Sequence, residues 1–200
     1  MLRAIAWLTV GAIVLLRLAF GSPPPSRPNP LTESPPDPEL HRTWEKFAQA
    51  VRRNDRVALR QLSASCISCT ECLRNTPAEA KALDRYRKQH PDTWYDRLYG
   101  PMSFIPAETF WREDGAVVFD AKTTARLLNP AKLAFIASDH NQAGYVAPCL
   151  LLPAQVAATQ LYEVLLTSID PSPQREGLQQ AFAFISTKQG YKFCGYSTIP

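Results

Sequence analysis

The residues that most invite a chemical reading are Cys66-Ile67-Ser68-Cys69-Thr70-Glu71-Cys72, three cysteines at successive spacings of three. Thiolates at this spacing hold an iron–sulfur cluster when a fourth cysteine, followed by proline, completes the run. Here Thr76 stands before Pro77 instead, so a fourth ligand would have to come from Cys149 or Cys194. A reactive Cys-x-x-Cys dithiol needs a strand ahead of it and a helix N-terminus behind it to stabilise the thiolate. Neither pair in this run has a clear strand signal before it. The expectation is therefore structural: Cys66, Cys69, Cys72, Cys149 and Cys194 supply two disulfides and one thiol left over. Their pairing is open at this level, and a thiol redox or metal site at Cys66, Cys69 and Cys72 stays as an alternative.

For acid/base work the candidate is His140, beside Asp139 and Asn141 in a polar turn, where a histidine next to a carboxylate can act as a general base. Sequence neighbours rarely share a side-chain direction, and His41 and His90 have no such neighbour. There is no Gly-rich phosphate loop, no nucleophile elbow and no paired metal-binding histidines. No cofactor is expected. The aromatic residues Trp94, Tyr95, Tyr99, Phe104, Phe110 and Trp111 could line a pocket, with Trp94, Tyr95, Tyr99, Phe110 and Trp111 the candidates, or could pack a core.

Those residues need elements to hold them. The chain begins with Arg3, an apolar run from Ala4 to Leu16, and the small residues Ala19 and Gly21. This is the pattern of a signal peptide over residues 1–21. An uncleaved anchor is the alternative, although Arg17 interrupts the run below the roughly 20 apolar residues that span a bilayer. Export through an oxidising compartment suits the cysteines and is a poor route for delivering a cluster. The expected location is periplasmic or extracellular, membrane-anchored if the leader is retained. Residues 22–36 are rich in Pro, Ser, Arg and Asn and form a proline-rich disordered tether. Residues 37–200 are the size of one domain with one core.

Charge excludes one partner class. Removing Arg3 and Arg17 from the formal +4 leaves +2, too little to argue for nucleic acid. Arg52, Arg53, Arg56, Arg60, Arg85, Arg87 and Lys88 cluster in the helical half and read as solvated helix faces.

Asp37-Pro38-Glu39 is a helix start, with Leu40, Trp44, Phe47, Ala48 and Val51 along one face. Asn54-Asp55 breaks that helix and caps a second with Val57, Leu59 and Leu62. Thr76, Pro77 and Glu79 make a capping box for a third helix to about His90, and Trp94 to Tyr99 adds a turn before Gly100-Pro101. A further helical stretch opens at Ile105-Pro106, and Asp120 caps another that ends at Asn129-Pro130. Leu161–Ile169, Leu178–Thr187 and Tyr191–Ile199 read as strands, the last two joined by a turn at Lys188-Gln189-Gly190. Helices first and a meander last give an α+β domain, with N-terminal helices packed on a C-terminal antiparallel sheet.

The helix pair broken at Asn54-Asp55 and the closing strands, ending Gly190-Tyr191-Lys192-Phe193-Cys194-Gly195-Tyr196, resemble the cystatin-like or SnoaL-like superfamily typified by the nuclear transport factor. The resemblance covers the first helix pair and the last 40 residues or so. It implies a curved, cone-like sheet wrapped around a helix, leaving a pocket that in different members binds small apolar ligands, does acid/base chemistry or only packs. The leading expectation is an exported, non-enzymatic accessory or binding module for a small ligand or envelope protein. Membrane contact is expected only through an uncleaved leader. The alternative is a SnoaL-like pocket enzyme with His140 as acid/base.

Overall fold

The computed structural model describes residues 37–98, 100–138 and 156–199. Each early helix has an identifiable start. Helix α1, Pro38–Arg53, begins where the Asp37 carboxylate accepts the Glu39 amide at 2.8 Å with Pro38 in the first turn, and ends at Asn54 in the left-handed region (φ 50°). Asp55 then accepts the Ala58 amide and starts α2, Arg56–Leu62. Thr76 and Glu79 satisfy each other's amides in the capping box of α3, Pro77–Gln89. Four short helices follow: α4, Trp94–Leu98; α5, Ala107–Glu113; α6, Gly115–Val118; and α7, Ala121–Arg126, the last capped by Asp120. Such side-chain acceptors satisfy amides that a helix leaves orphaned at its start.

The strands are β1, Ser63–Ser68; β2, Phe104–Pro106; β3, Leu133–Ser138; β4, Val156–Ile169; β5, Leu178–Thr187; and β6, Gly190–Ile199. They form one sheet in the order β2-β1-β6-β5-β4-β3. The α+β class is as expected, but two corrections are needed. The sheet is mixed, because β1 runs parallel to β6 while every other pairing is antiparallel. It also recruits two strands, β1 and β2, that were expected as turn or helix. Strand β1 follows α2 with no loop between them, so its small polar residues carry no boundary signal. Strand β2 is three residues long, with Pro106 confined to a sheet edge as a residue lacking an amide hydrogen must be.

Alternation sorts the strand residues onto two faces. Phe182, Phe184, Phe193, Val164 and Leu166 face the helices and are fully buried. Trp44 and Phe47 of α1 sit on them, with ring centroids 5.4 Å apart for Trp44–Phe182 and 4.9 Å for Phe47–Phe193. Phe110, Trp111 and Phe119 close the group; Trp111 and Phe119 are stacked at 5.5 Å. Both core indoles have acceptors: Trp44 Nε1 donates to the Leu127 carbonyl at 2.9 Å, and Trp111 Nε1 donates to Ser63 Oγ at 2.9 Å. The opposite face of the sheet carries a smaller buried group of Cys66, Leu161, Ala183, Ile185 and Cys194. Among the described residues no helix is long and apolar enough to cross a membrane.

Candidate functional site

The cysteine turn sits where β1 runs out. The Cys69 amide donates to the Ser103 carbonyl at 2.8 Å, just past the β1–β2 pairing. Cys69 and Cys72 are disulfide-bonded, with Cα atoms 5.3 Å apart, and the Cys72 amide points at Cys69 Sγ at 3.2 Å. A 3₁₀ turn, Glu71–Arg74, carries the chain on. Glu71 Oε1 accepts the amide of Thr198 at 2.8 Å and its hydroxyl at 3.1 Å, which ties the turn to the far end of β6.

This corrects one sequence expectation: a strand, β1, does stand directly before Cys69-Thr70-Glu71-Cys72. The three sulfurs of the run nevertheless do not converge. Cys69 and Cys72 belong to the core under the helices, whereas Cys66, also disulfide-bonded, lies in the small group on the other face of the sheet. The two bridged sulfurs are fully buried. Cys194 is a free, buried thiol whose pKa is raised, first by burial and then by the nearby Glu163. Among the described residues no cluster of His, Cys, Asp and Glu side chains is placed to hold a metal ion.

Beside the turn lies an open cleft of about 620 Å³, within the range of small-molecule sites. Its apolar lining comes from Leu83 of α3, Trp94, Tyr95 and Leu98 of α4, and Tyr196 of β6. Ser68, Thr70, Ser103, Ser197 and Thr198 supply hydroxyls, and Glu71 and Arg74 supply charge. Helix α4 is placed by the turn that ends it. A Cβ on Gly100 would lie 2.9 Å from the Asp96 carbonyl oxygen, so only glycine lets the chain double back there. Trp94 meets Tyr95 edge to face at 4.8 Å, and the Arg87 guanidinium covers the indole at 4.3 Å on the side of a neighbouring hollow.

The aromatic residues singled out from sequence are therefore divided. Trp94 and Tyr95 line the cleft, whereas Phe110 and Trp111 are core residues, because the face of α5 that carries them packs on α1 and β6. Tyr99, Asp139, His140 and Cys149 lie outside the described residues. His41 stacks on Phe135 at 3.7 Å, and His90 closes α3 against Tyr86. Leu83, Arg74, Ser103, Tyr196 and Thr198 were not legible as site residues, because no local pattern marks them.

Two titratable groups stand out electrostatically. The Tyr196 hydroxyl, at the edge of the cleft, has its pKa raised by burial while accepting from Gln180 Nε2 at 3.1 Å. Asp114, away from the cleft between α5 and α6, is pushed up to about 6, chiefly by burial, with Glu79 and Glu113 adding to the rise. Its Oδ1 accepts from Asn75 Nδ2 at 2.9 Å, which opposes that rise, and its Oδ2 is buried without a hydrogen-bond partner. Both shifts have burial as their first cause. No family model, curated protein or solved structure matches this chain.

Proposed function

We propose that this chain is an exported, non-enzymatic accessory module that binds a small ligand in the cleft beside the cysteine turn. The observation that carries the reading is the cleft's lining: half-buried and exposed aromatic surface, five Ser and Thr hydroxyls, one carboxylate and one guanidinium, with no His or Cys among the described lining residues. Aromatic walls supply contact area, and a few fixed polar groups supply orientation. Export is supported by the signal-peptide pattern of residues 1–21 and by the Cys69–Cys72 disulfide, a bond that persists in oxidising compartments. The cystatin-like resemblance belongs to the same proposal, with α1 and α2 ahead of a sheet whose last two strands, β5 and β6, form a hairpin. The inner face of that sheet is filled by Trp44, Phe47 and the phenylalanines, which favours the peripheral cleft over a central pocket.

A thiol reading has one observation in its favour, the strand that ends just before Cys69 and the 3₁₀ turn that carries Cys72. Full burial of both sulfurs weighs against it, because exchange needs a sulfur that an external thiolate can reach.

The test is ligand capture. The full chain and its Trp94→Ala variant are incubated with the small-molecule fraction of a cell-envelope extract and analysed by native mass spectrometry. A species retained by the parent and lost from the variant supports the cleft; identical profiles would remove it.

A further inference from the structure

The two charges in the cleft lining are not used alike. Glu71 and Arg74 stand three residues apart in a 3₁₀ turn, where side chains at i and i+3 eclipse and an acid and a base would ordinarily pair. Here Glu71 is turned away to β6, where Thr198 donates to it twice, at 2.8 and 3.1 Å. Its charge is spent on holding the turn to the sheet. Arg74 is left exposed at the cleft, and among the described residues it makes no hydrogen bond or ion pair. Of the neighbouring cations, Arg87 is occupied over the Trp94 ring on the side of the adjoining hollow, which Lys88 also lines, and Arg97 lies over the Tyr86 ring. Beyond Arg74, the lining grades into apolar surface: Leu83 and Leu98 are buried beneath the opening and Trp94 stands beside them.

A guanidinium presents a fork of donors that matches a carboxylate or similar oxyanion and cannot be deprotonated in a protein. Set at the rim of an apolar cleft, it recognises a molecule that is charged at one end and apolar at the other. We infer that the cleft takes a small amphiphilic anion, its oxyanion head on Arg74 and its apolar body against Trp94, Leu83 and Leu98. This rests on the reading of the cleft as a binding site and names the chemical class of its ligand. The surrounding hydroxyls of Ser68, Thr70 and Ser197 can donate to the same head group. The Glu71 carboxylate does not repel the head strongly, because the Thr198 amide and hydroxyl already compensate part of its charge.

The experiment uses matched acid and amide pairs that share a body and differ in charge: 1-naphthaleneacetate and 1-naphthaleneacetamide, indole-3-acetate and indole-3-acetamide, decanoate and decanamide. Affinities are measured by isothermal titration on the full chain and on its Arg74→Gln, Arg74→Lys and Trp94→Ala variants. At least one acid is expected to bind about tenfold or more tightly than its amide, as a charge-assisted pair gives. Arg74→Gln should abolish that preference while leaving amide affinity unchanged, Arg74→Lys should restore part of it, and Trp94→Ala should weaken both members. Equal binding of acid and amide, or a preference that survives Arg74→Gln, would overturn the assignment of ligand class while leaving a binding cleft. If no member of either series binds, the cleft reading falls with it.

Discussion

Two regions of this molecule are built from the same kinds of residue and put them to opposite uses. Beneath the helices, Trp44, Phe47, Trp111, Phe182 and Phe193 meet ring to ring, and each indole N–H has an acceptor in the fold. Beside the cysteine turn, Trp94 meets Tyr95 edge to face and carries the Arg87 guanidinium over its ring, and a cleft lies open next to them. The difference is one of covering layers. Helix α1 and the sheet are long enough to enclose their rings, whereas α4 is five residues long and presents its rings to the cleft that it lines with the cysteine turn, α3 and β6. Aromatic surface left half-covered next to polar groups is what a binding site requires, and aromatic surface fully covered is what stability requires.

That contrast can be broken first in the core. Phe47 is fully buried among five aromatic rings, so Phe47→Ala is expected to cost about 3–5 kcal/mol in urea unfolding, since the cavity cannot collapse against rigid neighbours. A loss under about 1 kcal/mol would mean that the enclosed core described above does not exist in solution.

The next effect comes from Asp114, whose carboxyl has a folded-state pKa of about 6 against an ordinary value of 3.8. The folded state therefore holds this proton more tightly than the unfolded state does. The resulting stabilisation is fully present below about pH 4, declines through pH 4–6 and is gone above pH 6. Asp114→Asn should flatten that decline and stabilise the protein at pH 7 by up to about 3 kcal/mol, less whatever the new amide loses for want of an acceptor. Unfolding midpoints at pH 4 and pH 7 for parent and variant check this, and an unchanged pH profile would contradict it.

The disulfide ranks below these. Cys69 and Cys72 close a very short loop, so replacing both with serine is expected to cost about 2 kcal/mol on a chain-entropy reckoning. It should also loosen the turn that carries Glu71 and Arg74, and so weaken ligand capture. Intact mass after alkylation in denaturant should show one reactive thiol, on Cys194, and in native buffer none, because that sulfur is buried. The smallest effect on stability is expected at Trp94, where Trp94→Ala should shift unfolding by less than about 1 kcal/mol while removing binding. Phe47→Ala and Trp94→Ala thus separate the two regions by which measurement each one moves.

The sequence made the local features legible and left the nonlocal ones hidden. Helix starts at Asp37, Asp55, Thr76 and Asp120 could be read because each cap lies within three residues of the amide it satisfies. Strands β5 and β6 could be read because Phe182 and Phe184 alternate with small residues and Gly190, at φ 90°, makes the turn between them. Strand β1 could not, since Ser63-Ala64-Ser65-Cys66-Ile67-Ser68 has little strand character and is held by β6, more than a hundred residues later. The cleft was hidden for the same reason. Trp94 and Tyr95 were visible as aromatic residues, but the walls opposite them are Thr198 and Tyr196, brought there by the parallel β1–β6 pairing that no local pattern encodes. Cys66 is separated from Cys69 and Cys72 because it lies within β1, on the sheet face away from the helices, whereas the other two lie past the end of that strand.

The most direct test of the contrast between an enclosed core and an open site reads both regions in one spectrum. The indole N–H resonances of the tryptophans are followed by ¹⁵N–¹H correlation spectroscopy while the full chain is titrated with 1-naphthaleneacetate and with its amide. Trp94 should shift progressively with either compound, while Trp44 and Trp111, bonded to Leu127 and Ser63, stay in place. Movement of Trp44 or Trp111 with Trp94 unchanged would place binding in the core and contradict the division proposed between the two regions.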